Sequence, residues 1–146
     1  MEVEKLKYFE DFTVGEKFIT RGRTITEADI VNFAALSGDW YPLHVDVEYA
    51  RNTIFGERIA HGLLVLSAAS GLFPLYDMAI VAFYGVDRLR FRAPTRIGDT
   101  IHVESEVVDS REKEFGGVVT FRQSIVNQRG EKVAVMDLKI LIASKS

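Results

Sequence analysis

The chain has 146 residues, 47% of them hydrophobic and 27% charged, the balance of one ordinary globular domain long enough to bury a core without cross-links. It contains no cysteine, which excludes a disulfide framework, a thiolate nucleophile and a cysteine-bearing zinc site. A formal net charge of −3, without clustered basic and aromatic residues, supplies no field for a nucleic-acid backbone.

The first residues, Met1-Glu2-Val3-Glu4-Lys5, are charged and lack the apolar stretch of a secretory leader, so cytoplasmic residence is the expectation. Texture changes along the chain: up to about Pro74 the periodicity is mostly helical, and from about Ala79 to Ala143 it is that of strands. With no repeat, low-complexity tract or linker, this reads as a single α+β domain over residues 1–146.

The first clear helix is predicted over Glu27 to Ser37, with Thr26 as N-cap and Asp29 three residues on in a capping-box pattern. Ile30, Phe33, Ala34 and Ser37 give it one core-facing stripe, and Gly38 is placed to stop it. A shorter helix is predicted from Val47 to Asn52 behind Asp46 as cap, followed by a loop holding Phe55-Gly56.

Leu63 to Phe73 is apolar on every side, so a helix there must be surrounded. The apolar stretch that contains it, Gly62 to Pro74, holds two serines and two glycines and falls short of the roughly 20 residues needed to cross a bilayer. It is a core element, and no membrane is expected as a partner. Ile101, Val103 and Val107 alternate with polar residues, Val133 to Ile142 is strongly β-prone, and Gly98-Asp99, Gly116-Gly117 and Arg129-Gly130 punctuate these runs as turns. The economical topology is a curved antiparallel sheet of about five strands wrapped around one buried helix. Such a sheet has edges, and an open edge invites a second copy, so a homodimer or higher homo-oligomer is expected.

Three histidines can be weighed singly. His102, mid-strand between Ile101 and Val103, falls on the polar face and reads as a solvated surface residue. His61 directly precedes the apolar helix and suits a structural use, tying down its first turn or packing as a neutral ring. His44 differs, because it lies in Ser37-Gly38-Asp39-Trp40-Tyr41-Pro42-Leu43-His44, where a helix stop and a proline bend can bring Asp39 and the imidazole to one water. Spacing alone leaves open the alternative that Asp39 caps the turn and His44 fills a polar gap. Trp40 reads as an anchor of that turn. Arg88, Arg90 and Arg92 alternate along one strand and so share a side, suited to phosphates or to a solvated edge.

The ordered residues Gly38-Asp39, Pro42-Leu43-His44, Phe55-Gly56 and His61-Gly62 resemble the signature of the MaoC-like hydratase/dehydratase family, hot-dog-fold enzymes that include R-specific enoyl-CoA hydratases. The resemblance spans Tyr8 to Pro94 and weakens in the last strands. It implies a hot-dog fold and an acyl-CoA thioester substrate, with Asp39 and neutral His44 gripping the water and the Gly62 N–H meeting the thioester oxygen. Ser70 falls where related enzymes have a serine lining the site. The same resemblance implies no metal and no cofactor beyond the coenzyme A of the substrate, and a place in fatty acid metabolism. One position departs: Tyr41 stands where the signature has asparagine, so the turn must be braced differently and the pocket changes shape.

Two other functions compete. A hot-dog thioesterase would place an Asp or Glu on the buried helix, and Gly62 to Phe73 holds no carboxylate. A non-catalytic acyl-CoA-binding module would keep the fold, but has no need of Asp39 and His44.

Overall fold

Capping chemistry sets the helix boundaries. The computed structural model describes residues 6–146, and Met1 to Lys5, with the expectation about a leader, lie outside the described residues. Two short strands, β1 (Lys17–Ile19) and β2 (Arg23–Thr24), precede helix α1 (Glu27–Ser37). Thr26 Oγ accepts from Asp29 N while the Thr26 N–H donates to Asp29 Oδ2 at 2.9 Å, the reciprocal pair read from the sequence. Gly38, at φ +79°, takes the left-handed conformation that ends the helix, and its N–H donates to Ala34 O. Two short helices follow, α2 (Pro42–Val45) and α3 (Val47–Arg51), the second capped by Asp46 as expected. Helix α2 is not evident in the periodicity, being a single turn.

Helix α4 (Gly62–Leu72) is the central element. The remaining strands are β3 (Ile80–Phe91), β4 (Thr100–Lys113), β5 (Gly116–Val126) and β6 (Lys132–Ala143), in the spatial order β1-β4-β5-β6-β3 with β2 also on β4, and these strands pair antiparallel. This sheet curves around α4 in the hot-dog arrangement. Ile25 and Ile30 from the α1 region, Ala68 and Ala69 from α4, and Ile101 and Ile125 from the sheet form one core cluster. Phe9, Phe12, Phe73 and Phe121 anchor a second at the far end of the helix, with Phe73 and Phe121 edge to face at 5.0 Å.

Two expectations need correction. Helix α4 is not enclosed within one chain: Leu64, Val65, Ala68, Ala69 and Leu72 are buried, but Leu63 is 61% exposed and Ser67 faces solvent. The apolar surplus on α4 therefore exceeds what a single sheet covers. Gly116-Gly117 is not a turn either. The turn is Glu114-Phe115, and the two glycines open β5 because a Cβ at Gly116 would strike Ile142 O and one at Gly117 the Phe9 ring. Close approach, not reversal, requires glycine there.

One long edge of the sheet is bare. Among the described residues strand β3 pairs only with β6, and Val81, Phe83, Tyr84 and Val86 along it are exposed. A bulge between Asp87 and Arg90, with Arg88 at φ +55°, interrupts the alternation. Arg88, Arg90 and Arg92 nevertheless line one surface groove. Among the described residues no helix is long and apolar enough to cross a membrane.

Candidate active site

The segment after α1 is held by short-range hydrogen bonds that its own sequence dictates. With Gly38 left-handed, the Asp39 N–H donates to Ser37 Oγ and the Tyr41 N–H donates to Asp39 Oδ1, each at 3.1 Å. The second is an Asx turn, which fixes the carboxylate. Pro42 then occupies the first position of α2, where its missing N–H costs nothing and its fixed φ suits a helix. One turn of α2 carries His44 to the position where its Nδ1 donates to Ile59 O at 2.8 Å. A carbonyl can only accept, so Nδ1 bears the hydrogen and Nε2 of the neutral ring is left as a free base.

The dyad forms. A carboxylate oxygen of Asp39 and one ring nitrogen each of His44 and His61 lie within 4.8 Å of one another. His61 is the unexpected third member: it is 2% exposed, its Nε2 donates to Asp39 O at 2.9 Å, and its ring stacks on His44 with centroids 3.9 Å apart and planes 27° apart. Of the two structural uses read from the sequence, it does not tie down the first turn of α4, where it makes no side-chain cap hydrogen bond, but packs as a buried ring. An Asp/His/His set is a plausible metal donor set by chemistry. The two imidazoles, however, lie nearly face to face, so their in-plane lone pairs do not converge on one ion.

His44 is half-buried, and that burial, the largest influence, pushes its pKa below the usual histidine value. The nearby His61 acts in the same direction, while the hydrogen bond to Ile59 O and the Asp39 charge oppose it. At neutral pH the ring is therefore neutral, as a base must be.

His44 lines an open cleft of about 340 Å³ with Phe55, Gly62, Val65 and Phe91. Gly62 is the first residue of α4, where a helix leaves its N–H groups without intrahelical partners and its dipole is positive. Arg92 lines this cleft and also the adjoining groove, of about 520 Å³, that holds Arg88, Arg90 and Lys132. Arg122, in the same groove, is paired with Asp137.

Of the other residues singled out in the sequence, Tyr41 stands beside the dyad. Its main chain supplies the brace on Asp39, its ring meets His44 edge-on at 6.4 Å, and its hydroxyl lies 3.2 Å from that of Tyr49. Ser70 is not brought to the dyad: it lies two turns further along α4, its hydroxyl donates to Ser67 O, and it does not line the cleft with His44. Trp40 is 52% exposed. His102 sits on the polar face, paired with Glu104 at 3.0 Å. Sequence reasoning missed Ile59, which acts through its carbonyl and so leaves no side-chain signal. It also missed the link from His61 to the dyad.

Residues 10–128 match the family model described as the MaoC like domain. The chain is 42% identical over 118 residues to an (R)-specific enoyl-CoA hydratase of Rhodospirillum rubrum, covering 80% of this chain and 79% of that one. It is 50% identical over 98 residues to Protein MaoC of Klebsiella aerogenes, a stretch that is 66% of this chain and only 29% of that longer protein. Among solved structures, an Archaeoglobus protein described as a monoamine oxidase regulatory protein superposes with a TM-score of 0.91 at 42% identity, over 97% of both chains. On the extent of these matches, and with the fold and signature residues in place, the chain belongs to the MaoC-like family.

Proposed function

We propose that the protein is a hydratase/dehydratase that adds water to, or removes it from, the double bond of an α,β-unsaturated acyl-CoA thioester. The observation that carries this is a fixed Asp39 carboxylate held within 4.8 Å of the half-buried His44, whose Nε2 is free and whose ring lines a cleft together with Gly62. Relatives named as enoyl-CoA hydratase and as 3-hydroxybutyryl-CoA dehydratase support it.

In hydration, Asp39 and His44 hold one water between them. As its oxygen bonds to the β-carbon, a proton passes to the dyad and is returned at the α-carbon, while enolate charge develops on the thioester oxygen. The Gly62 N–H, with the helix dipole behind it, stabilises that charge. Dehydration is the reverse. The chemistry calls for neither metal nor organic cofactor. The acyl chain lies in the cleft against Phe55, Val65 and Phe91, and the phosphates of CoA meet Arg88, Arg90 and Arg92 across the groove that Arg92 joins to the cleft. A second copy of the chain, paired along β3, covers the exposed side of α4.

The test is to incubate pure protein with crotonyl-CoA, 3-hydroxybutyryl-CoA and saturated acyl-CoAs while following enoyl absorbance and free thiol. Enoyl loss without thiol is the expected result. Thiol release would replace this function by a thioesterase, and tight acyl-CoA binding with no reaction across an enoyl-CoA panel would replace it by a binding module.

A further inference from the structure

Among the described residues, one buried side-chain polar atom has no hydrogen-bond partner: Nδ1 of His61. Its other nitrogen, Nε2, donates to Asp39 O, which leaves Nδ1 without a partner and sealed from water. Burying an unsatisfied acceptor costs free energy, and a residue needed only for packing would be phenylalanine or leucine. Something else keeps a histidine here.

The ring has two aromatic neighbours. Phe33 of α1 meets it at 4.9 Å, tilted by 59°, and His44 stacks on it at 3.9 Å. Each partner of His61 is a different part of the proposed site. The edge of the ring holds the Asp39 main chain, its face supports the His44 imidazole, and its own carbonyl carbon is bonded to the Gly62 nitrogen, the proposed oxyanion donor. Asp39 is then fixed at both ends, its carboxylate by the Tyr41 N–H and its carbonyl by His61.

We propose that His61 is a positioning residue that sets the Asp39 carboxylate, the His44 ring and the Gly62 amide in one register. This rests on the hydratase reading of the site. Two properties of the ring are separable. The Nε2–H orients Asp39, and the stacked face orients His44 while disfavouring a positive charge on it. The groups facing His44 are Asp39 from the preceding loop, the Tyr41 ring at the start of α2, His61 at the start of α4 and Arg92 across the cleft beyond β3. Of these, His61 is the one stacked face to face on it, at 3.9 Å.

Two variants test the assignment. His61→Phe keeps a flat ring and removes the donor; His61→Gln keeps an N–H near the Nε2 position and removes the ring. Crotonyl-CoA hydration should fall about 100-fold in kcat for His61→Phe with KM changed less than about threefold, because displacement of a reacting group by about 1 Å costs that much. His61→Gln should recover roughly a tenth of the wild-type rate. In both, the NMR titration midpoint of His44 should move upward, since the second imidazole no longer opposes its protonation. A merely structural histidine would instead lower Tm and leave the His44 midpoint where it is.

A His61→Phe rate within threefold of wild type, no rescue by His61→Gln, or an unmoved His44 midpoint in a folded variant would each overturn the proposal. If His61→Phe does not fold, the His44 midpoint and rate of His61→Gln decide it: an upward shift with a retained fraction of turnover supports the role, and a wild-type midpoint ends it. The titration needs no turnover. Should wild-type protein fail to hydrate any enoyl-CoA, the hydratase reading falls, while the midpoint still reports whether His61 governs His44.

Discussion

The ring of Phe91 lies over Gly62 so closely that a Cβ at position 62 would sit 2.9 Å from its Cζ. Gly62 has no positive φ to accommodate, so the glycine is required by what approaches it and not by its backbone. Phe91 is 48% exposed, and the contact is with the far end of its ring, which can swing outward. Gly62→Ala should accordingly cost only about 1 kcal/mol of stability, the low end for overpacking. Its effect on turnover should be much larger, at least tenfold, because the methyl and the displaced ring crowd the amide to which the thioester oxygen must come. Adding Phe91→Leu should restore Tm without restoring kcat. Unchanged kcat/KM in Gly62→Ala would remove this amide from the reaction.

Asp39→Asn and His44→Asn test the dyad directly. Asparagine at 39 can still accept from the Tyr41 N–H, so the turn survives while the charge is lost. At 44 it removes the Nε2 base, while its amide N–H stands near the Nδ1 position and can still donate to Ile59 O. Each should lower kcat by about 10²–10⁴, the range for losing a general acid–base group. Circular dichroism and oligomeric state should stay as in wild type. With the two groups acting on one water, as proposed, the double variant should be hardly slower than the worse single one. Multiplicative losses would mean that they act on different steps.

The turn that carries those residues was legible in the sequence because short-range rules govern it, whereas the choice of Asp39 and His44 rested on the family resemblance. Thr26 with Asp29, Gly38, Pro42 and Asp46 each satisfy local backbone groups, and together they turn the chain so that Asp39 and His44 meet. What escaped depends on long-range approach. Gly116-Gly117 reads as a turn until Phe9 and Ile142 are known to press on it, and Ile59 contributes a main-chain oxygen, on which side-chain identity is mute. His61 reads as a helix-start residue, since nothing local connects it to Asp39, 22 positions earlier.

The pH behaviour follows from His44. Its pKa is held below the usual value of about 6.5, chiefly by burial. The proposed hydration needs the neutral ring, so activity should persist below pH 6.5 and fall only as pH drops through the lowered folded-state value. Stability moves with it. In the unfolded chain His44 takes up a proton near pH 6.5, before the folded protein does, so its contribution to stability is complete above that pH. It is lost progressively as pH falls from there to the folded-state value, and no further loss from this residue occurs below. His44→Asn should flatten the dependence of Tm on pH in that window. An acid limb of kcat centred above 6.5 would contradict the burial of this ring in the working enzyme.

The bare edge of β3 makes the last prediction. Twelve residues of strand present unpaired backbone groups, with Val81, Phe83, Tyr84 and Val86 exposed along it and no lysine or proline among them to discourage pairing. An edge this long and apolar is covered in a stable protein. Leu63, exposed on α4, is a second apolar surface without cover. A second copy pairing antiparallel along β3 would satisfy the edge and repeat every contact by two-fold symmetry. Light scattering should give twice the chain mass at micromolar concentration. Val86→Lys together with Phe83→Lys should shift it to monomer, with a lower Tm and reduced turnover, because α4 and its first-turn amide lose support on the open side. A monomeric wild type, or lysine variants that remain dimeric, would place the interface elsewhere.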